Sequence, residues 1–452
     1  MKAKEGNGEM RNKKWLATMV CASLFFVIHF SFLITGCQRE SYLDENEVTL
    51  AFSADTVAFD TVFTTLGSTT RQVLVYNRSS RDVLLSSVTL EGGRQSRFRL
   101  NVDGDTSMVA RNVEIMAGDS IFIFIQANIA PNDATSPFVV EDAIVFGNGQ
   151  RLPLSAWGRN AVYHKGIPGD GLYLLECGNW DHTRPHIIFD TAVVYTDSVL
   201  TLMAGDEVYM ADRAALLVYG GGTLHATGTP EQPVLFTSLR HDGWYSFLPG
   251  QWAALWFNPG SSGTLDNVVV EKGTLGIIVA DTIERVAPTL TIHNTEVRHM
   301  SYTGLLAQGA CVAVDNMLVY QCGTASLLLR GGDYRFNHTT VGGYWRYGGR
   351  QNPTVVLNNW YFGTDDEPVP LPLRRAEFTD CIIWGNYHDG ELLEQRLEDV
   401  EYHSTFNHSI VRGGEWDEDP LFDVDPDTCL FDKRDDFRLS AESPAIGIGY
   451  QF

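Results

Sequence analysis

The chain is short of positive charge, of paired cysteines and of helical periodicity, and each shortage removes a class of function. Against 56 Asp and Glu there are only 33 Lys and Arg, a formal charge of −23. Phosphate recognition needs clustered Lys and Arg, so no nucleic-acid partner is expected and anionic lipid is disfavoured. A polyanionic sugar would need a cation or a local basic patch to approach. The seven cysteines contain no CxxC, which leaves neither a zinc-site spacing nor a disulfide framework, and buried apolar thiols are expected instead. His293, His299, His338 and His408 form no HxH or HExxH unit, so no metal centre is read from them. No stretch of the C-terminal two thirds keeps apolar residues at a sustained 3.6-residue spacing, which argues against a helical repeat.

What is present begins at the N-terminus. Lys2, Lys4, Arg11, Lys13 and Lys14 precede an apolar run from Trp15 to Ile34, which ends in Thr35-Gly36-Cys37. A basic flank, an apolar core and small residues at its end are the marks of a secretory signal peptide. About 20 apolar residues could also span a bilayer uncleaved, but His29 within the run and the Ile-Thr-Gly-Cys ending favour cleavage. Residues 1–36 carry five basic and two acidic side chains, and their removal leaves −26 on the mature chain. The segment 37–47 holds Glu40, Asp44, Glu45 and Glu47 and reads as a charged tether.

Two bodies follow. Over 48–160, short alternating runs such as Gln72-Val-Leu-Val-Tyr76 and Ser120-Ile-Phe-Ile-Phe-Ile125 are separated by turn-rich breaks such as Gly147-Asn-Gly149. The pattern predicts a β-sandwich. Over 161–452 an apolar-polar-Asn hexad recurs, with Asn267, Asn294, Asn316, His338, Asn359, Asp380 and His408 at its third position. A unit of 21 or 22 residues can turn once around a small prism whose strands stack at about 4.8 Å. Asn, Asp and His are the non-glycine residues that best tolerate the left-handed corner such a coil requires. The repeat therefore predicts a parallel β-helix with one polar corner per lap, and with further coils upstream at Leu200–Gly205 and Ala215–Ala226. A leucine-rich repeat, the rival at this period, would need a spaced Leu consensus that is absent.

These motifs carry resemblances. Thr-Gly-Cys37 resembles the bacterial lipobox, which implies lipidation of Cys37. The acidic stretch after it resembles the surface-export signal of Bacteroidetes lipoproteins. The run Phe59–Gly67 leading into Gln72–Asn77 resembles the Ig-like domains that head such proteins. Gly222-Thr-Leu, Pro233–Thr237, Gln251-Trp252 with Trp256, and the closing Asp436-Phe-Arg-Leu-Ser-Ala-Glu-Ser-Pro-Ala-Ile446 look like the right-handed β-helix of the pectin-lyase-like superfamily, the last of these like its final coil. The whole chain thus resembles a family of Bacteroidetes outer-membrane lipoproteins: an all-β protein with an Ig-like β-sandwich followed by a right-handed parallel β-helix. The resemblance implies outer-membrane attachment through the acylated Cys37, facing the cell surface or the periplasm, and it implies no activity.

The fold hosts lyases and hydrolases of acidic polysaccharides, but fold alone does not give function. Of the hydrolase motifs only Asp-Asp pairs occur, at 365–366 and 435–436, so the acid and base of glycoside hydrolysis cannot be assigned. The expected glycan contacts are His338, Tyr344, Trp345, Arg346, Tyr347 and Arg350, since aromatics beside Arg can stack on sugar faces and pair with carboxylates. The competing reading is a Gly-bent loop whose rings merely pack. Asp417, Asp419, Asp423 and Asp425 could hold at most a structural Ca²⁺, although Asp-Pro pairs among them read first as turns. No other cofactor is expected. The function expected is binding of glycan or of an envelope protein without catalysis; the alternative is a divergent polysaccharide lyase or glycoside hydrolase.

Overall fold

The computed structural model describes residues 42–452 except 168, 181, 241, 283–286, 414–430, 432–435 and 444. It is built from strands with a few short 3-10 turns and falls into two compact units, one drawn from residues up to 59, 67–129 and 139–156, the other from 60–66, 130–138 and 157–452.

The N-terminal strands form two sheets, one of four strands and one of five. In the first, Arg71–Tyr76 and Phe98–Val102 flank Ser120–Ala127 in antiparallel register. Strict alternation places Ile121, Ile123 and Ile125 in the core and leaves Phe122 and Phe124 outside. The core also holds Val73, Val75, Leu85, Phe98 and Phe146. Asn77 is fully buried, and its amide satisfies the backbone of its own turn by donating to the carbonyls of Arg81 and Ile115.

The C-terminal unit is a parallel β-helix. A 17-stranded and a nine-stranded parallel sheet run its length. From residue 199 onward each lap contributes two strand segments to the long sheet, while the third wall belongs to the shorter one. Inward rows fill the bore: Leu216, Leu255, Ile277, Leu305, Leu327 and Val355 lie in register on successive laps. Phe336, Phe378 and Phe406 stack nearly parallel at 4.9 and 4.8 Å, the spacing of neighbouring strands. Each ring therefore meets its copy one lap away.

Six of the seven expected corners turn the chain between the two segments of the long sheet. Asn267, Asn294, Asn316, His338, Asp380 and His408 all have φ between 45° and 62°. Their side chains also bond along the column. The Asn294 amide donates to Asp266 at 3.0 Å, Asn316 donates to Asn294 at 2.9 Å, and His408 bonds to Asp380. The seventh, Asn359, is not one of them. It follows Val355–Asn358, a strand of the nine-stranded sheet, is fully buried and lacks positive φ. Its side chain donates to the carbonyls of Leu397 and Val400 and accepts from the Leu397 N–H. The lap from His338 to Asp380 is thus a double-length one, extended by residues 344–354 and by a hairpin of Trp360–Phe362 with Pro368–Pro370. Two prism corners can carry the same apolar-then-Asn text, and spacing alone does not say which corner a residue occupies.

The closing segment also departs from expectation. Its described residues form no further coil. Phe437 lies on the outer face of the long sheet against Tyr320 and Phe431, over Gly342, where a Cβ would sit 2.2 Å from its ring. The chain then runs back across the laps: Gly449 N–H donates to the Asp380 carbonyl, Tyr450 N–H to the Thr340 hydroxyl, and Gln451 N–H to the Asn316 side chain. Leu318, Ile382, Trp384 and Ile410 are covered as a result.

Candidate functional site

A network of ionisable side chains lies on the outer face of the long sheet. Glu271, Arg298 and Tyr320 stand in register on consecutive laps. Arg298 binds Glu271 through Nε and Nη2 at 2.9 and 2.8 Å and Glu296 through Nη1 at 2.7 Å. Lys272 and Thr237 reach Glu271 at 2.8 Å, and the Tyr320 hydroxyl donates to Glu296 at 2.7 Å. Burial works to raise the Glu271 pKa, but Arg298 and Lys272 outweigh it and hold the carboxyl at about 2. Burial, reinforced by Arg298, pushes His299 down to about 4, and its Nδ1 is buried without a hydrogen-bond partner. Glu271 has no proton to give near neutrality and its oxygens are already saturated, so it cannot serve as a general acid.

The expected glycan contacts divide. Arg350 makes a bidentate pair with Glu391 at 2.9 and 2.7 Å, with 4% and 0% of the two side chains exposed. Glu391 also accepts from the Thr354 and Tyr387 N–H groups, so this guanidinium is not free for a ligand. His338 is a corner of the long sheet, 4.0 Å from Asp380. Tyr344 faces Phe437 at 6.1 Å. Trp345 and Tyr347 do meet, at 5.0 Å, and the Tyr347 hydroxyl donates to the Phe247 carbonyl. They join Trp244 and Phe247, exposed on the short turn Gly243–Phe247, in an aromatic crest; Arg346 is exposed beside it.

On the nine-stranded sheet a groove of about 340 Å³ runs across the outer face, with Gly250, just past that turn, in its lining. Val193, Leu217, Trp256, Ile278 and Leu306 form one outward row on successive laps. Leu255 and Phe257 point into the bore, so Trp256 between them must point out, and it remains 41% exposed. Thr191, Arg213 and Thr274 supply the polar lining. Two residues beyond Val193 and Leu217, Tyr195 and Tyr219 stack at 5.3 Å, both exposed. No Asp, Glu, His, Lys or Cys lines the groove among the described residues, so it can stack and hydrogen-bond but offers no proton donor or acceptor suited to acid-base chemistry. The readable signal for this site was an aromatic at an outward position of an alternating strand, which both Tyr219 and Trp256 satisfy.

Cys37, Asp417, Asp419, Asp423 and Asp425 lie outside the described residues. Among the described residues no three His, Cys, Asp or Glu are placed to hold a metal ion, and no helix is long and apolar enough to cross a membrane. No family model matches the chain, and no curated protein matches it. One solved structure is that of a family 123 glycoside hydrolase from Clostridium perfringens, described for glycolipid glycan hydrolysis. It aligns over 28% of this chain and 30% of its own, at 9% identity and a TM-score of 0.19. The alignment thus spans less than a third of that protein, and so slight a likeness carries no argument about function.

Proposed function

We propose that this protein is an extracytoplasmic lipoprotein, held at the outer membrane through acylated Cys37, whose β-helix binds a glycan without cleaving it. In this reading the N-terminal sandwich is an Ig-like spacer or docking surface. The observation that carries it is the exposed Trp256 ring, set in an apolar groove beside the stacked Tyr195 and Tyr219. A pyranose presents a flat face of C–H groups that packs on such rings, while its hydroxyls pair with nearby polar groups such as Thr191, Thr274 and Arg213. A net charge of −26 on the mature chain favours a neutral polymer over a polyanion.

The test is affinity electrophoresis of the mature chain through gels containing neutral polysaccharides, with Trp256→Ala and Tyr219→Ala alongside. Retardation by at least one polymer, weakened in Trp256→Ala and unaccompanied by new reducing ends or unsaturated products, is the expected result. Equal retardation of wild type and Trp256→Ala, or release of product, overturns the reading. For the anchor, radiolabelled palmitate should enter the wild-type chain and not Cys37→Ser; equal labelling contradicts it.

A further inference from the structure

The N-terminal unit carries an aromatic surface that its own fold leaves unused. On the outer face of its four-stranded sheet, Phe122 and Phe124 are 44% and 37% exposed, with ring centroids 6.2 Å apart and planes within 14°. The strand that holds them needs an outward residue at both positions, because Ile121, Ile123 and Ile125 take the inward ones. A polar residue would satisfy that geometry as well as a phenyl ring does. In register beside the rings stand Leu74, opposite Phe122, and Gln72 and Asn101, on either side of Phe124. Gln126 follows on the same side of the strand, and it too is exposed. The immediate frame is thus two nearly parallel rings, one aliphatic side chain and three amides, with Arg99 opposite Gln126 and Asp103 donating its N–H to the Phe122 carbonyl.

We infer that Phe122 and Phe124 form a second carbohydrate-contact platform, separate from the Trp256 groove, that takes one or two units of a neutral glycan. Two features decide between a sugar and a protein as the occupant. The exposed parts of two phenylalanines amount to about 150 Å², whereas a stable protein partner covers about 800 Å² on each side. The patch matches the face of a hexose or two and is far below a protein footprint. Its nearest side chains are also amides, which can donate to and accept from hydroxyls, and the Arg99 guanidinium beside them donates to the Ser96 and Phe98 carbonyls. This inference stands on the sandwich alone and does not depend on the groove.

The experiment titrates the full mature chain with neutral β-linked hexasaccharides (gluco-, manno- and galacto-configured), read by calorimetry. Four forms are compared: wild type, Trp256→Ala, Phe122→Thr/Phe124→Thr, and all three substitutions together. Threonine keeps the strand propensity of the outward positions, and an unchanged thermal melt shows that the sheet is intact. Trp256→Ala should retain binding of at least one hexasaccharide, and the added Phe→Thr pair should weaken that residual binding about tenfold or more, the size expected when ring stacking is lost. Residual binding that the Phe→Thr pair leaves unchanged overturns the platform. So does a Trp256→Ala chain that binds none of the sugars while wild type binds them, in which case the groove stands alone. Should wild type bind none of them, or a protein ligand prove to be displaced by the Phe→Thr pair, the platform fails as a sugar site.

Discussion

On the long sheet of the β-helix, Glu271, Glu296, Arg298, Lys272 and Tyr320 crowd one outer region; on the nine-stranded sheet, the outward row holds Leu217, Trp256 and Ile278. The first region has the residue types usually sought in an active site, and nearly every polar atom named there is already engaged within the network. The second has almost no ionisable chemistry but leaves a large ring uncovered. Availability, more than chemical richness, separates a site from a scaffold here. The Arg350–Glu391 pair belongs with the first region, because its hydrogen bonds close a loop and leave nothing for a ligand.

Substitutions that strip the engaged charges should show the largest effects. Arg350→Ala leaves Glu391 buried and unpaired, and its unfolding free energy should fall by about 3–5 kcal/mol in denaturant titration. If Arg350→Ala instead melted like wild type and only lost glycan retention, the pair would be a binding element after all. Acidification should act next. Glu271 is depressed from 4.5 to about 2, so its stabilisation is complete above 4.5 and disappears as pH falls towards 2. His299 is depressed from 6.5 to about 4, so the fold resists its protonation and stability drops as pH falls from 6.5 to 4. His164, buried beside His186 and also held at about 4, contributes to the same window. Melts across pH 4–6.5 should show a loss of about 2–3 kcal/mol per histidine at most, and His299→Asn, whose side chain tolerates the φ of 57° there, should flatten part of it.

Smaller effects distinguish the corners. Asn267→Gly should be close to neutral at φ 51°, since its amide donates to the adjacent Asp266 side chain, while Asn267→Ala should cost about 1–2 kcal/mol. Asn359→Gly should not be neutral, since it deletes three hydrogen bonds from a fully buried side chain. Equal tolerance at both positions would return Asn359 to the corner column.

This contrast also shows what could be read from the letters. A left-handed corner demands a particular residue type, so Asn267, Asn294, Asn316 and Asp380 announce themselves through chemistry the backbone requires. Asn359 satisfies the same pattern for a different reason, a buried side-chain bond to the next lap's loop, and text does not distinguish the two. Phe437 was legible as part of a closing motif, but its seat over Gly342 depends on a long-range contact with no local signature. Among the expected glycan residues, Trp345 and Tyr347 reach the aromatic crest because both belong to one loop. Arg350 fails because its partner Glu391 is 41 residues away. Trp256 was readable as outward from its neighbours Leu255 and Phe257; that it borders a groove follows only from the register of three other laps.

The most direct measurement uses the mature chain labelled with ¹⁵N in its tryptophan indoles, the Trp256 signal being identified from Trp256→Phe. On titration with a neutral polysaccharide fragment that the protein retains, the Trp256 indole resonance should shift progressively while that of Trp384, buried on the long sheet away from the groove, stays in place. A Trp256 signal that does not move while those of Trp244 or Trp345 do would place the ligand on the crest and contradict the groove as its seat.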